Sequence, residues 1–102
     1  VRAALGLKKN ALLDLPVPPA ELAAITGKYE SDDGIVEHFG RDGRLHGRIP
    51  GTPIEGVVRR QAENVYAVDE NTEVHFLMRG GRAEWSMAYT GGLFMGGSYR
   101  VN

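Results

Sequence analysis

From Gly27 onward the sequence is cut into short runs by turn-forming residues, and the spacing of those cuts limits what the chain can become. Eight runs stand out: Thr26 to Ser31, Ile35 to Phe39, Arg44 to Ile49, Ile54 to Arg59, Val65 to Val68, Glu73 to Arg79, Ala83 to Tyr89, and Leu93 to Val101. The cuts between them are Asp32-Asp33-Gly34, Arg41-Asp42-Gly43, Pro50-Gly51-Thr52-Pro53, Gln61 to Asn64, Asp69 to Thr72, Gly80-Gly81 and Gly91-Gly92. Strand-type runs broken every 8 to 12 positions or so are the pattern of an all-β barrel or sandwich. Connectors this short exclude parallel crossovers, which need about a dozen residues. Asp-Gly and Gly-Gly suit tight hairpins because the turn places its central residues at positive φ. The predicted sheet is an antiparallel meander.

Alternation assigns the faces. Leu45, Gly47 and Ile49 fall on one side and Arg44, His46 and Arg48 on the other, so the first set is expected to face the core. Val74, Phe76 and Met78 alternate with Glu73, His75 and Arg79, with Leu77 as an exception. Ala83, Trp85, Met87 and Tyr89 alternate with Glu84, Ser86 and Thr90, which predicts an inward Trp85. Gly47, Gly56, Gly96 and Gly97 lie inside runs, where glycine marks a bulge or the bend that closes a sheet on itself. Closure also removes the exposed edges of an open eight-stranded sheet. The expected fold is an eight-stranded antiparallel up-and-down barrel, its interior either filled or wide enough for one small ligand.

The lead-in has a different texture. Val1 to Lys9 reads as two helical turns with Lys8 and Lys9 at the negative end and Asn10 as a cap. Ala11 to Leu15 runs into Pro16, Pro18 and Pro19, which forbid a regular helix and favour an extended connector. Pro19 suits the first position of a short helix over Ala20 to Ile25, with Leu22 and Ile25 placed to plug one end of the barrel. This divides the chain into a terminal helix with a proline-rich linker over residues 1–19 and a barrel over residues 20–102.

Composition narrows the classes of function. With 42% apolar and 25% charged residues, the chain is expected to be a soluble globular domain. Its formal net charge of −1, with no run of either sign, provides no field to gather nucleic acid. There is no cysteine for a disulfide, a thiol nucleophile or a thiolate metal site. No stretch approaches the roughly 20 apolar residues that span a bilayer. Val1 opens the chain without a methionine or a signal-like segment, which points to a piece of a longer protein.

Several short motifs then converge on one family. They are the apolar residues from Leu22 leading into Gly27-Lys28-Tyr29-Glu30, the Gly40-Arg41-Asp42-Gly43-Arg44-Leu45 hairpin, the Pro50-Gly51-x-Pro53 turn, and Asn64-Val65-Tyr66 leading to Glu73-Val74-His75-Phe76. Together they resemble the lipocalin-like C-terminal domain, of unassigned function, that follows the catalytic domain of many serine β-lactamase-like or penicillin-binding-protein-like hydrolases. The resemblance covers about residues 20 to 102, and Val1 to Leu15 is similar to the helix and linker that join such a domain to its hydrolase. The last strand departs from the family pattern: Gly91 to Gly97 is apolar and glycine-rich where the family has a polar turn. The resemblance implies a noncatalytic accessory domain with an N-terminal hydrolase domain as partner, in a bacterial and exported or periplasmic protein. A free-standing binder of a small apolar molecule is the alternative, and a small enzyme is a third class.

The chain's own residues offer little for catalysis. The hydrolases' Ser-x-x-Lys nucleophile motif is missing: three positions after Ser31, Ser86 and Ser98 stand Gly34, Tyr89 and Val101. His38, His46 and His75 lack the spacing that puts two ligands on one face, and no cofactor is implied. The acidic residues Asp32, Asp33, Asp69 and Glu70 sit in turns, with Glu73 close by, where solvation is the expected role. His38 depends on the hairpin. A two-residue loop at Asp42-Gly43 turns it inward opposite Gly47, with Val36 paired to Ile49. A three-residue loop puts it outside opposite His46 and turns Phe39 inward. Inward, His38 with Tyr29 and Trp85 forms a candidate anchor for a small ligand, against the plainer reading of ordinary core residues. Leu93, Phe94 and Met95 are apolar on both faces, which fits either burial under the N-terminal segment or a contact surface for a partner domain or a second copy.

Overall fold

A computed structural model describes residues 12–101; the predicted helix over Val1 to Lys9 lies outside them. Helix α1 (Pro19–Ile25) is followed by strands β1 (Gly27–Ser31), β2 (Gly34–Arg41), β3 (Arg44–Arg48), β4 (Glu55–Val57), β5 (Arg59–Ala62), β6 (Val65–Ala67), β7 (Thr72–Arg79), β8 (Arg82–Thr90) and β9 (Leu93–Arg100). All pairings are antiparallel, in the order β4-β3-β2-β1-β9-β8-β7-β6-β5. The two outermost strands are consecutive in the chain. β4 bonds to β3 and β5 bonds to β6, and between them Val58 donates its N–H to the Leu45 carbonyl (2.9 Å). The predicted run Ile54 to Arg59 is therefore one bent segment shared by both ends of the sheet. Counting its halves separately gives nine strands in a nearly closed barrel rather than eight.

The turns follow their sequence chemistry. Asp42 and Gly43 stand at φ 55° and 76°, and Gly80-Gly81 and Gly91-Gly92 likewise have both central φ angles positive, as a two-residue hairpin loop requires. The two-residue loop fixes the β2–β3 register, with Arg41 opposite Arg44 and His38 opposite Gly47. His38 therefore points inward. Phe39 points outward, where it stacks on His46 and lies under the guanidinium groups of Arg41 and Arg48.

Strand β8 departs from simple alternation. Met78 pairs with Ala83 but Leu77 pairs with Trp85, which leaves Glu84 as the extra residue of a bulge. One extra residue reverses the facing of everything after it. Ala83 is fully buried as expected, but Ser86 then turns inward and Trp85 turns out, 41% exposed. The predicted interior position of Trp85 is thus corrected by the bulge. A second bulge sets Ala88 opposite Gly96 but Tyr89 opposite Phe94, with Met95 as the extra residue in β9.

Side chains fill the interior unevenly. Ile25, Tyr29, Leu45, Val58, Tyr66, Phe76 and Ala83 make the core, with Val17, Leu22, Val74 and Met78 packed against it. Burying each large side chain stabilises the fold by about 1.5–3 kcal/mol. Helix α1 closes the end of the barrel beside this core. Pro19 opens the helix at N1, and the Thr26 N–H and hydroxyl both donate to the Leu22 carbonyl at its end. Leu22 lies so close to β2 that a Cβ on Gly40 would stand 3.0 Å from its Cδ2.

Two polar clusters fasten the plug. Glu21 takes both Arg60 Nε and Nη2 at 3.0 Å, the Tyr66 hydroxyl at 2.6 Å and the Asn64 N–H at 3.1 Å. On the other side Arg100 donates to the carbonyls of Ala24 (2.7 Å), Thr26 (2.9 Å) and Ala83 (2.6 Å), and to the Tyr29 hydroxyl (3.1 Å). A cation at the C-terminal carbonyls of a helix also complements its dipole. Ahead of the helix, the extended residues 12–18 lie along β5. Leu15 N–H meets the Arg60 carbonyl, Leu13 exchanges two hydrogen bonds with the Gln61 amide, and Asp14 pairs with Arg44.

Candidate functional site

Inward positions at the end away from α1 carry small residues: Gly47 on β3, Ser86 and Ala88 on β8, Gly96 and Ser98 on β9. The strands here need the same barrel circumference as at the plugged end, so small side chains leave space. The result is a cup of about 420 Å³, with Val36, Ile49, Val58 and Val74 in its wall. This lies within the roughly 300–1,000 Å³ of small-molecule sites, which are mostly apolar with a few polar groups. Ile49, Ile54 and Val68 stand at its open side, 37%, 58% and 49% exposed.

His38 is the principal polar group of the cup. It is 4% exposed, and its ring packs edge-on against Phe76 (5.1 Å between centroids) and Tyr29 (5.7 Å). Its Nδ1 is sealed from solvent and has no hydrogen-bond partner among the described residues. Leaving such a group unpaired costs about 1–3 kcal/mol. Burial pushes the His38 pKa down to about 4, against a smaller opposite effect from the His46 backbone, so the ring is neutral at pH 7. Among the described residues the hydroxyls of Ser86 and Ser98 also make no hydrogen bond to the protein.

Of the three residues expected to form an anchor, two are brought together and one is not. Tyr29 and His38 are in ring contact, but the Tyr29 hydroxyl is already committed to the Ile25 carbonyl (2.6 Å) and faces the plug. Burial pushes its pKa up to about 12, with Arg100 and Arg82 acting in the other direction. Trp85 is on the outer face, packed on Tyr99 at 5.7 Å beside a shallow groove that Glu30, Asp32 and Gly97 also line. Ser86 and Ser98 belong to the cup and were not expected there. Their signal was present as small residues alternating along two neighbouring runs, Ser86 with Ala88 and Gly96 with Ser98, but only the bulge at Glu84 turns the first pair inward.

The other candidates have simpler roles. His46 stacks on Phe39, and His75 bonds Glu73 (3.0 Å) and touches Tyr89, all on the outer face. Asp69 accepts the N–H groups of Asn71 and Thr72 and so shapes its turn. No group of three His, Asp or Glu side chains converges among the described residues. Leu93, Phe94 and Met95 are 70%, 59% and 63% exposed, and residues 12–18 lie elsewhere, along β5. Phe94 packs on Tyr89 and, with Leu77, Trp85 and Tyr99, gives β7–β9 a largely apolar outer face, whereas Leu93 pairs with Thr90 on the side of the cup. No helix among the described residues is long and apolar enough to cross a membrane.

Glu21 is the most strongly held carboxylate. Burial raises its pKa, but the hydrogen bonds from Arg60, Tyr66 and the Asn64 N–H outweigh this and hold it below the usual carboxylate range. In turn burial and Glu21 push the Tyr66 hydroxyl up, and Glu21 raises Arg60. This cluster supports the plug and does not face the cup.

Comparison with known proteins gives no further guide. No family model, no curated protein and no solved structure matches this chain.

Proposed function

We propose that this chain is a noncatalytic, lipocalin-like barrel that holds a small, mostly apolar molecule in the hollow half of its interior. The observation that supports this is the uneven filling of the barrel. One half is packed with aromatic side chains and plugged by α1, while the other is lined by small residues around His38, whose Nδ1 has no hydrogen-bond partner among the described residues. Ser86 and Ala88 on β8 and Gly96 and Ser98 on β9 put small residues at four neighbouring inward positions, and Gly47 adds a fifth on β3.

The test is a methyl NMR titration with a panel of acyl, aromatic and peptidoglycan-like fragments. Ligands are expected to move the Val36, Ile49 and Val74 methyl signals, and the Ala88→Leu variant is expected to abolish the shifts by filling the cup. No shift with any compound would remove the cavity reading.

A second reading takes the exposed apolar face of β7–β9 as its support. In it the barrel is an accessory domain of a bacterial serine β-lactamase-like hydrolase, shaping substrate access or assembly, with Leu93, Phe94 and Met95 against that catalytic domain or a second copy. The resemblance in the sequence suggests the hydrolase and an exported or periplasmic setting. A gene that encodes a Ser-x-x-Lys domain ahead of residue 1 would support this reading, and a gene without one would remove the hydrolase from it. The two readings are compatible, because the cup and the outer face that carries Phe94 are on opposite sides of the same strands.

A further inference from the structure

The wall of the cup changes character with depth, and the change indicates the kind of molecule it takes. Toward the mouth the inward residues are Val36, Ile49, Val74 and Ala88. One inward step deeper on the same strands are His38, Gly47, Phe76 and Ser86. Ser86 pairs with Ser98 on one side and with Phe76 on the other, and Phe76 is edge-on to His38. His38, Ser86 and Ser98 therefore share one level, at the floor, and neither His38 Nδ1 nor the two serine hydroxyls have a hydrogen-bond partner among the described residues. Gly47 keeps that level open, since a Cβ there would stand 3.3 Å from His38 Nδ1.

The two charged residues in the lining are engaged elsewhere. Arg48 Nε bonds Glu37 Oε1 at 2.9 Å with its guanidinium over Phe39, and Glu55 bonds Arg41 at 3.0 Å. No cation among the lining residues is left to compensate a carboxylate at the floor, and desolvating an unpaired charge is strongly unfavourable. Burial keeps the His38 ring neutral at pH 7, so it supplies no charge either.

We propose that the cup binds an uncharged amphiphile head-down, with a hydroxyl or phenol group among the exposed edge of the His38 ring, Ser86 and Ser98 and its hydrocarbon against Val36, Ile49 and Val74 toward the mouth. This rests on the reading that the hollow half is a ligand site. A hydroxyl donates and accepts, so it matches either tautomer of the neutral imidazole and two rotatable serine hydroxyls. A carboxylate only accepts, and a plain hydrocarbon leaves all three groups unpaired.

The test compares 1-octanol and octanoate, probes of equal chain length, by calorimetric titration at pH 7, together with 15N signals of the His38 ring and methyl signals of Val36 and Val74. The expected result is 1-octanol bound roughly tenfold or more tighter than octanoate, with the His38 ring signals shifting. Ser86→Ala, which removes one hydroxyl without filling the cup, is expected to weaken 1-octanol about threefold to tenfold and to leave the fold intact. Octanoate binding as tightly as 1-octanol would overturn the head-group assignment while leaving the cup in place. Methyl shifts without a change at His38 would do the same, because the head would then point outward. If neither probe moves the methyl signals, the ligand site itself is refuted and this inference falls with it.

Discussion

Gly47 faces His38 across the β2–β3 pair, and the imidazole occupies the space where a side chain on Gly47 would begin. A Cβ at that position lies 3.3 Å from both Nδ1 and Cε1 of the ring. His38 is wedged against Phe76 and Tyr29, so it has little room to retreat. Gly47→Ala is predicted to cost about 1–3 kcal/mol through overpacking, read as a lower urea midpoint at unchanged slope. A stability within error of the wild type would mean that the ring moves freely into the cup.

The plug should be sensitive to Glu21. The side chains of Glu21 and Arg60 are 9% and 17% exposed, so this pair is unlike a surface salt bridge, which contributes little. Glu21→Ala leaves Arg60 and the Tyr66 hydroxyl without their acceptor and is predicted to cost roughly 3–5 kcal/mol. Tyr66→Phe, which removes one hydrogen bond and keeps the ring, should cost only about 1 kcal/mol. Equal losses for the two variants, measured by urea denaturation, would contradict a cluster centred on the carboxylate.

Acid should destabilise the fold in two stages. His38 has a folded-state pKa near 4 and an ordinary value of 6.5, so between those values the unfolded chain binds the extra proton. Its contribution is fully present above about pH 6.5 and is lost as the pH falls toward 4, by up to about 3 kcal/mol. Glu21 is held below the usual carboxylate range, so its contribution survives to lower pH and is lost as its own folded-state pKa is passed. Urea midpoints measured across this range should slope for the wild type and flatten between pH 6.5 and 4 in His38→Phe. An identical slope in that variant would assign the effect to other groups.

The outer face offers a separate test. Phe94→Glu is predicted to convert a dimer, or a complex with a docked domain, to monomer in gel filtration without changing the circular dichroism. Unchanged assembly with an intact fold would exclude this face as an interface. Trp85 reports independently, since it is the chain's only tryptophan and is 41% exposed in the barrel alone. Iodide should quench its fluorescence in Phe94→Glu more than in an assembled wild type.

Turn chemistry made most of the fold legible. Asp42-Gly43, Gly80-Gly81 and Gly91-Gly92 mark tight hairpins, and a chain of hairpins has one simple way to close. Local residues also identified α1, because Pro18 and Pro19 fix its start. The faces of β8 were not legible, because a bulge is set by the pairing partner rather than by the strand's own pattern. The sequence contained one hint: Leu77 broke the alternation of β7, and Leu77 is the residue that meets Trp85 outside the barrel. His38 required the hairpin register to be decided, which the two candidate loops left open. The polar fastenings were hidden for a different reason. Glu21 reaches Arg60 and Tyr66 across about 40 positions, and Arg100 reaches Tyr29 across 71, so no local window contains both members.

That last separation bears on how the molecule assembles itself. Every strand pairing except one joins neighbours in the chain, and these hairpins can form early and locally. The exception is β1 with β9, where Tyr29 meets Arg100, and contacts between distant positions are the slow ones. Arg100 also holds the carbonyls of Ala24 and Thr26, so the same residue that joins the first and last staves secures the plug. Barrel closure and helix docking should therefore be a single late event, visible as a φ-value near zero at Arg100 against higher values in the β7–β8 hairpin. Until that event the cup has no complete wall, and ligand binding should begin only once closure is finished.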